Sequence, residues 1–301
     1  MTPAPHLLSG YLAGQGIWGG HRERRWALAA AVFGSIAPDF DVAAGLVGGW
    51  EGAGAHRGFT HSLVGALILA AATGAALRGK FRVGFAASLA GILTHIFWDW
   101  LNFWGVRLLW PSLQSPAGNL VQEQDYIATV ILAAAALCLW RGRRLATAMV
   151  LAGIIPYLAI QWQGRERARE AAAKMEGRHA AVFPGRALDC RWVVLSEGAA
   201  DLSAHCSAGG ELREARRFAK AEDRFTRASE SDPVVRSFRE KDPIDFAEVR
   251  AGADGGATVV WRDLRVAYQE PPGAEPSGIH VSVDPAGRVL SARHRWWLRL
   301  W

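Results

Sequence analysis

Cysteine is scarce, with three in 301 residues. So few cannot build the dense disulfide framework of a small secreted domain. Cys138 lies in an apolar run and reads as a packed core thiol. That leaves Cys190 and Cys206 as one possible pair, open to them if their part of the chain lies outside the cytoplasm. A secretory signal peptide of the usual form is missing, because "MTPAPHLLSG" has no basic start. Repeats and low-complexity tracts are absent, which excludes a solenoid.

Charge is also missing, but from one part of the chain. Residues 1–163 are rich in Ala, Gly, Leu and Trp and carry few charges, whereas residues 164–301 carry most of them. A net charge of +6 is compatible with nucleic acid. The basic residues, however, gather in short runs beside apolar segments: "HRERR" (21–25), "RGKFR" (78–82) and "RGRR" (141–144). Loops that orient membrane helices look like this, so no nucleic-acid partner is expected.

Apolar segments run over about 26–48, 60–77, 83–103, 126–140 and 145–162, with a weaker one at 7–20. The pattern predicts an α-helical integral membrane bundle of five to six spans, followed by a soluble α+β domain. The expected boundaries are 1–163 for the membrane domain, 164–180 for a helical linker and 181–301 for the α+β domain. A soluble helical bundle is the alternative, and hydropathy and loop charge agree against it. The three basic runs alternate with the loops 49–59 and 104–125, which are poor in Lys and Arg. The positive-inside rule puts the basic runs in the cytoplasm of a multi-pass inner (plasma) membrane protein, and the C-terminal domain outside it. Trp26, Trp50, Trp104, Trp140 and Trp162 fall near the proposed ends, as an aromatic belt does. In the C-terminal part, "RWVVLS", "ATVVWRDLRVAY" and "IHVSV" read as strands and "DPAG" (284–287) as a hairpin turn. "ELREARRFAKAEDRFTRAS" (211–229) reads as a helix.

The apolar half holds a set of residues that such surroundings disfavour. They are His6, Asp39 and Asp41 in "APDFD", His56 and His61 in "HRGFTHS", His95 and Asp99 in "GILTHIFWDWLNFWG", and Asp125 in "QEQDY". An ionisable group inside a membrane segment costs about 2.5–3.5 kcal/mol on insertion scales and is read as functional by default. The predicted topology brings all eight to the outer level of the bilayer, although charge elsewhere assigned that topology. Imidazole and carboxylate are ligands for Zn²⁺ and similar ions. Singly, each has a plainer explanation: Asp39 or Asp41 as a helix cap, or an Asp paired with Arg57. Together, their desolvation costs accumulate and a shared cation offsets them. His95, Asp99 and Asn102 fall on one helix face by spacing.

The order "H…PDFD…HRGFTHS…HIFWDWLNFWG…P…D" resembles the YdjM-like family, described as membrane-bound metal-dependent hydrolases. More distantly it is similar to the zinc-dependent phospholipase C and P1 nuclease superfamily. The resemblance covers about residues 1–160. It implies a metal centre at His56, His61, His95 and Asp99, with His6, Asp39, Asp41 and Asp125 as matching positions. Eight potential ligands exceed the four of a structural zinc site and suit two or three divalent ions. Asp41, Arg57 and Asn102 are the expected catalytic residues. Arg57 is placed either to bind a phosphate oxygen or to pair with an Asp, and Asn102 to orient a ligand. The expected activity is hydrolysis of a phosphoester or similar bond in a membrane lipid or lipid-linked substrate. A metal transporter and a non-catalytic metal-binding scaffold are the alternatives. A transporter needs polar routes from a midplane site to both sides, and the inner halves of these segments offer few polar groups.

Overall fold

The computed structural model describes residues 3–42, 56–112, 114–123, 125–174, 179–185, 192–197, 201–208, 211–239, 244–270 and 273–295. The chain divides into two compact units, and the division falls between Arg165 and Glu166.

The first unit is helical. Its elements are α1 (Pro3–Trp18), α2 (Arg24–Gly34), α3 (Leu63–Ala76), α4 (Phe81–Leu101), α5 (Tyr126–Trp140), α6 (Arg144–Ala152) and α7 (Ile154–Ala173). Two 3₁₀ turns, Ala37–Asp41 and Phe59–His61, lie between α2 and α3 in sequence. Among the described residues, two helical stretches are long and apolar enough to cross a membrane: Phe81–Leu101, and Arg144–Ala173 taken as one. That is fewer than the five to six spans expected from hydropathy. The remaining helices have 11 to 16 residues. They are about 16–24 Å long at 1.5 Å per residue, short of a hydrocarbon core of about 30 Å. The segment expected over 26–48 breaks at Gly34, because Pro38 follows and the chain turns into the 3₁₀ segment that carries Asp39 and Asp41. Residues 43–55, with Trp50, lie outside the described residues.

Small residues let α1, α2 and α4 meet backbone to backbone. A Cβ on Gly91 of α4 would collide with the Ala31 carbonyl oxygen of α2 and stand 2.9 Å from Ser35 N. A Cβ on Gly34 would likewise strike the Ser88 backbone. Ala27, Ala30, Ala31 and Ala87 fill the seam. A second apolar cluster joins Leu12 of α1, Trp98 and Leu101 of α4, and Ala128, Leu132 and Leu139 of α5. The helices thus lie with alternating direction, and the unit has two chemically different ends. Lys80 Nζ lies 3.9 Å from Glu23, which joins the first two basic runs at one end. His6, the Ser35–Asp41 segment, His61 and the His95–Asn102 turn lie at the other.

The second unit holds two antiparallel four-stranded meanders. One is β1 (His179–Pro184), β2 (Trp192–Glu197), β3 (Asp201–Ala208) and β4 (Glu211–Ala219). The other is β5 (Asp245–Ala251), β6 (Ala257–Asp263), β7 (Gly278–Val283) and β8 (Val289–Arg295). Short helices α8 (Arg224–Ser229), α9 (Pro233–Arg239) and α10 (Leu264–Ala267) complete it. Val235 and Phe238 of α9 pack on Val259, Trp261, Ile279 and Val281 of the second sheet. The strands expected at 192–196 and 279–283 form, and so does the turn at 284–287, where Gly287 takes φ 84°. The stretch 257–268 forms a strand only to Asp263 and then α10. The helix expected over 211–229 does not form: it is β4, a short link and α8. Pairing with β3, along which Phe218 is buried, overrides the helical propensity of the Glu, Arg and Ala residues. Cys206 is disulfide-bonded and Cys138 is a free, half-buried thiol. Cys190 lies outside the described residues.

Candidate metal centre

Each ligand-type side chain is set by a local feature of the chain. His95 and Asp99, one helical turn apart on α4, are both fully buried and face the same way. His61 ends the 3₁₀ turn that leads into α3. Ser62 caps that helix by accepting a hydrogen bond from Gly65 N at 3.0 Å, which fixes the backbone beside His61. The 3₁₀ turn after α2 sends Asp39 to one side of the His61 ring and Asp41 to the other. Asp39 Oδ1 lies 3.5 Å from Nε2 and Asp41 Oδ2 3.5 Å from Nδ1.

Four atoms converge on one point. His61 Nε2 and His95 Nε2 are 3.1 Å apart. Asp39 Oδ1 is 3.3 Å from His95 Nε2. Asp99 Oδ2 is 3.5 Å from His61 Nε2 and 3.7 Å from His95 Nε2. Tetrahedral zinc binds nitrogen and oxygen donors at about 2.0–2.2 Å, which sets those donors roughly 3.3–3.6 Å from one another. The observed edges, from 3.1 to 3.7 Å, straddle that spacing. The ring protons agree. His95 Nδ1 donates to the Ser35 carbonyl oxygen at 2.8 Å, so in the neutral ring Nε2 presents a lone pair. Thr60 Oγ1 donates to Asp41 Oδ2 at 2.5 Å and accepts from His61 Nδ1 at 3.0 Å, which leaves His61 Nε2 as a lone pair too. Two imidazole lone pairs 3.1 Å apart repel unless a cation lies between them.

The donors continue on both sides of this tetrad. Asp41, His56 and His61 form a second group of ligand atoms within 4.8 Å of one another, with His56 Nδ1 at 2.6 Å from Asp41 Oδ1. On the other side, Asp99 Oδ1 is 3.5 Å from His6 Nε2. The His6 ring stacks on His95 at 3.9 Å. His6 is fully buried, and neither of its nitrogens has a hydrogen-bond partner among the described residues. His6, Asp39, Asp41, His56, His61, His95 and Asp99 therefore form one unbroken chain of donors. Asp39, Asp41 and Asp99 bring three carboxylates, and among the described residues Arg57 is a guanidinium paired with them, its Nη2 3.4 Å from Asp99 Oδ2. A divalent cation would offset the negative charge that three gathered carboxylates concentrate. The donor set fits divalent metal.

Arg57 and Asn102 flank the chain of donors. Arg57 Nη1 donates to Asn102 Oδ1 at 2.8 Å, and Trp104 N donates to the same oxygen at 2.8 Å. Asn102 thus reaches Asp99 through Arg57 rather than directly. Arg57 adopts φ 62°, a left-handed conformation that costs a non-glycine residue of order 1–3 kcal/mol and clusters at functional sites. Asp125 is engaged elsewhere. It caps α5, accepting from Ala128 N at 2.8 Å, and bonds the Tyr157 hydroxyl. It is not among the carboxylates whose oxygens gather here. Two partners have no place in the sequence expectation. Thr60 sits inside the "HRGFTHS" motif and was legible there as a neighbour of His61. The Ser35 carbonyl carries no side-chain signal at all.

A family model described as YdjM inner membrane protein matches residues 1–168. The chain belongs to that family. No curated protein and no solved structure matches it. The YdjM match spans every donor in the cluster and stops within α7, so the sheet-bearing unit lies beyond it. Among the described residues, that second unit gathers no comparable group of His, Cys, Asp and Glu atoms. Among the described residues, the ligand-type side chains of this YdjM protein gather at one end of its helical unit.

Proposed function

We propose that this protein is a membrane-bound, metal-dependent hydrolase that cleaves a phosphoester or similar bond in a lipid or lipid-linked substrate. The observation that carries the reading is the chain of seven donors around His61, in which three carboxylates and four imidazoles gather. Asp39, His61, His95 and Asp99 would hold one ion, and His6 with Asp99, or Asp41 with His56, would hold a second or third. Zinc is the ion that the donor types and edge lengths favour. When bound, such ions polarise a phosphoryl oxygen and make water a nucleophile near neutral pH. The chain's own residues supply the rest. Arg57, held by Asn102, is aimed to take a phosphate oxygen. Asp41 orients His56, the most exposed histidine of the set, for proton transfer. Ser35 and Thr60 fix the rings that face the ions.

The same reading puts the donor end at the outer face of the inner membrane, in a multi-pass topology with the C-terminal unit outside the cytoplasm. Support comes from the three basic runs at the opposite end of the helical unit, where the positive-inside rule expects the cytoplasm. The test is a phosphate-release assay on purified protein in mixed micelles of lipid phosphomonoesters and phosphodiesters. Turnover should require divalent metal, vanish with chelator, and fall at least about 10²-fold in Asp99→Asn and Arg57→Gln. A metal-loaded protein that cleaves no member of such a panel would leave the scaffold or transporter in its place.

A further inference from the structure

The end of the helical unit away from the donors carries a second feature. A cavity of about 200 Å³ opens between α1, the end of α5 and α6. Leu12, Gly16, Leu139 and Leu151 wall it, and Arg144 and Thr147 are its polar members. The space suits a short stretch of acyl chain rather than a polar solute. Arg144 is exposed and has no carboxylate partner among the described residues. The rim is cationic. All three basic runs lie at this end, and their one acidic residue, Glu23, is already paired with Lys80. Trp26 and Trp140 are exposed beside the runs, with the Arg25 guanidinium 5.2 Å above the Trp26 ring. An apolar slot edged by Arg144, at the end of the unit where the basic runs and exposed indoles lie, matches an amphiphile with a negative head.

We propose that this cavity is a binding site for an anionic phospholipid, with the lipid phosphate on Arg144 and an acyl chain between α1, α5 and α6. The site is remote from the donor cluster and does not rest on any hydrolytic activity. Its occupant is bound rather than turned over, and it ties three helices together where short α1 and α5 leave the bundle open.

Native mass spectrometry of the full chain in detergent, with phosphatidylglycerol or phosphatidylcholine added, tests this. Wild type should retain phosphatidylglycerol at least about fivefold more strongly, the ~1 kcal/mol that one basic side chain contributes to an anionic lipid surface. Arg144→Gln should abolish the preference. Gly16→Leu should lose both lipids, because a side chain there meets nothing within 4 Å on its way into the slot. Arg78→Gln, in another basic run, should bind as wild type does. Unchanged metal content shows that each variant keeps the fold of the donor end. Equal retention of the two lipids by wild type would overturn the proposal. So would an equal loss in Arg78→Gln and Arg144→Gln, which would mean a diffuse cationic rim.

Discussion

Gly91 touches no ligand, yet replacing it with alanine should weaken metal binding at the donor cluster. The helix seam leaves no room for a methyl group: it would collide with the Ala31 carbonyl oxygen and lie 2.9 Å from both Ala31 C and Ser35 N. Ordinary contacts between heavy atoms lie near 3.5–4.0 Å, so α2 and α4 must part by about 1.5 Å. The obstacle is backbone, which cannot swing aside as a side chain does. Overpacking of this kind costs roughly 1–3 kcal/mol. The shift also falls where His95 Nδ1 donates to the Ser35 carbonyl oxygen at 2.8 Å. Loss of such a ring-orienting partner typically weakens metal binding about 10–100-fold. Competition with a chromogenic chelator would read the affinity, and fluorescence-detected melting in detergent would read stability. Gly16→Ala, where the new methyl meets nothing within 4 Å, is the control. It should keep full metal affinity and gain up to about 1 kcal/mol from helix propensity. If Gly91→Ala binds metal as wild type does and melts no lower, the seam does not position the site.

Asp125→Ala separates a cap from a ligand. It should destabilise the helical unit by about 1 kcal/mol through the lost α5 cap and leave metal content unchanged; a loss of metal would return Asp125 to the donor set. In the sheet-bearing unit, burial and the neighbouring His280 hold His294 down to about 4. A ring neutral in the fold but protonated in the unfolded chain above that value contributes stability that is full above about 6.5 and lost as pH falls toward 4. Protection factors of the β7 and β8 amides, corrected for intrinsic exchange at each pH, should therefore fall between pH 6.5 and 4, and His294→Gln should flatten that dependence. The same pH profile in both proteins would refute the assignment.

The donor residues were legible because their chemistry contradicts their surroundings. Histidine and aspartate one turn apart in "THIFWDW" admit few explanations in an apolar helix, and the shared face of His95 and Asp99 follows from helical periodicity alone. The number of spans was not legible in the same way. Hydropathy sees one apolar segment over 26–48, but Pro38 breaks the helix inside it, and that break is what delivers Asp39 and Asp41 to the two faces of His61. Asp125 shows the converse. Its residue type and level fit a ligand, while the backbone of α5 claims it as a cap. β4 was misread because Glu, Arg and Ala favour helix locally, and only the partner strand decides otherwise. Ser35 contributes a backbone carbonyl, which no residue type announces.

The central claim is that the donors exist to hold metal. Elemental analysis of the purified, chelator-washed and zinc-resupplied full chain, beside Asp99→Asn and His95→Ala, tests it directly. Asp99 joins the tetrad to His6, so its replacement should remove at least one equivalent, as should His95→Ala. Wild type should hold two or more equivalents of divalent ion. Wild-type protein that binds none after resupply, while remaining folded, would contradict the account.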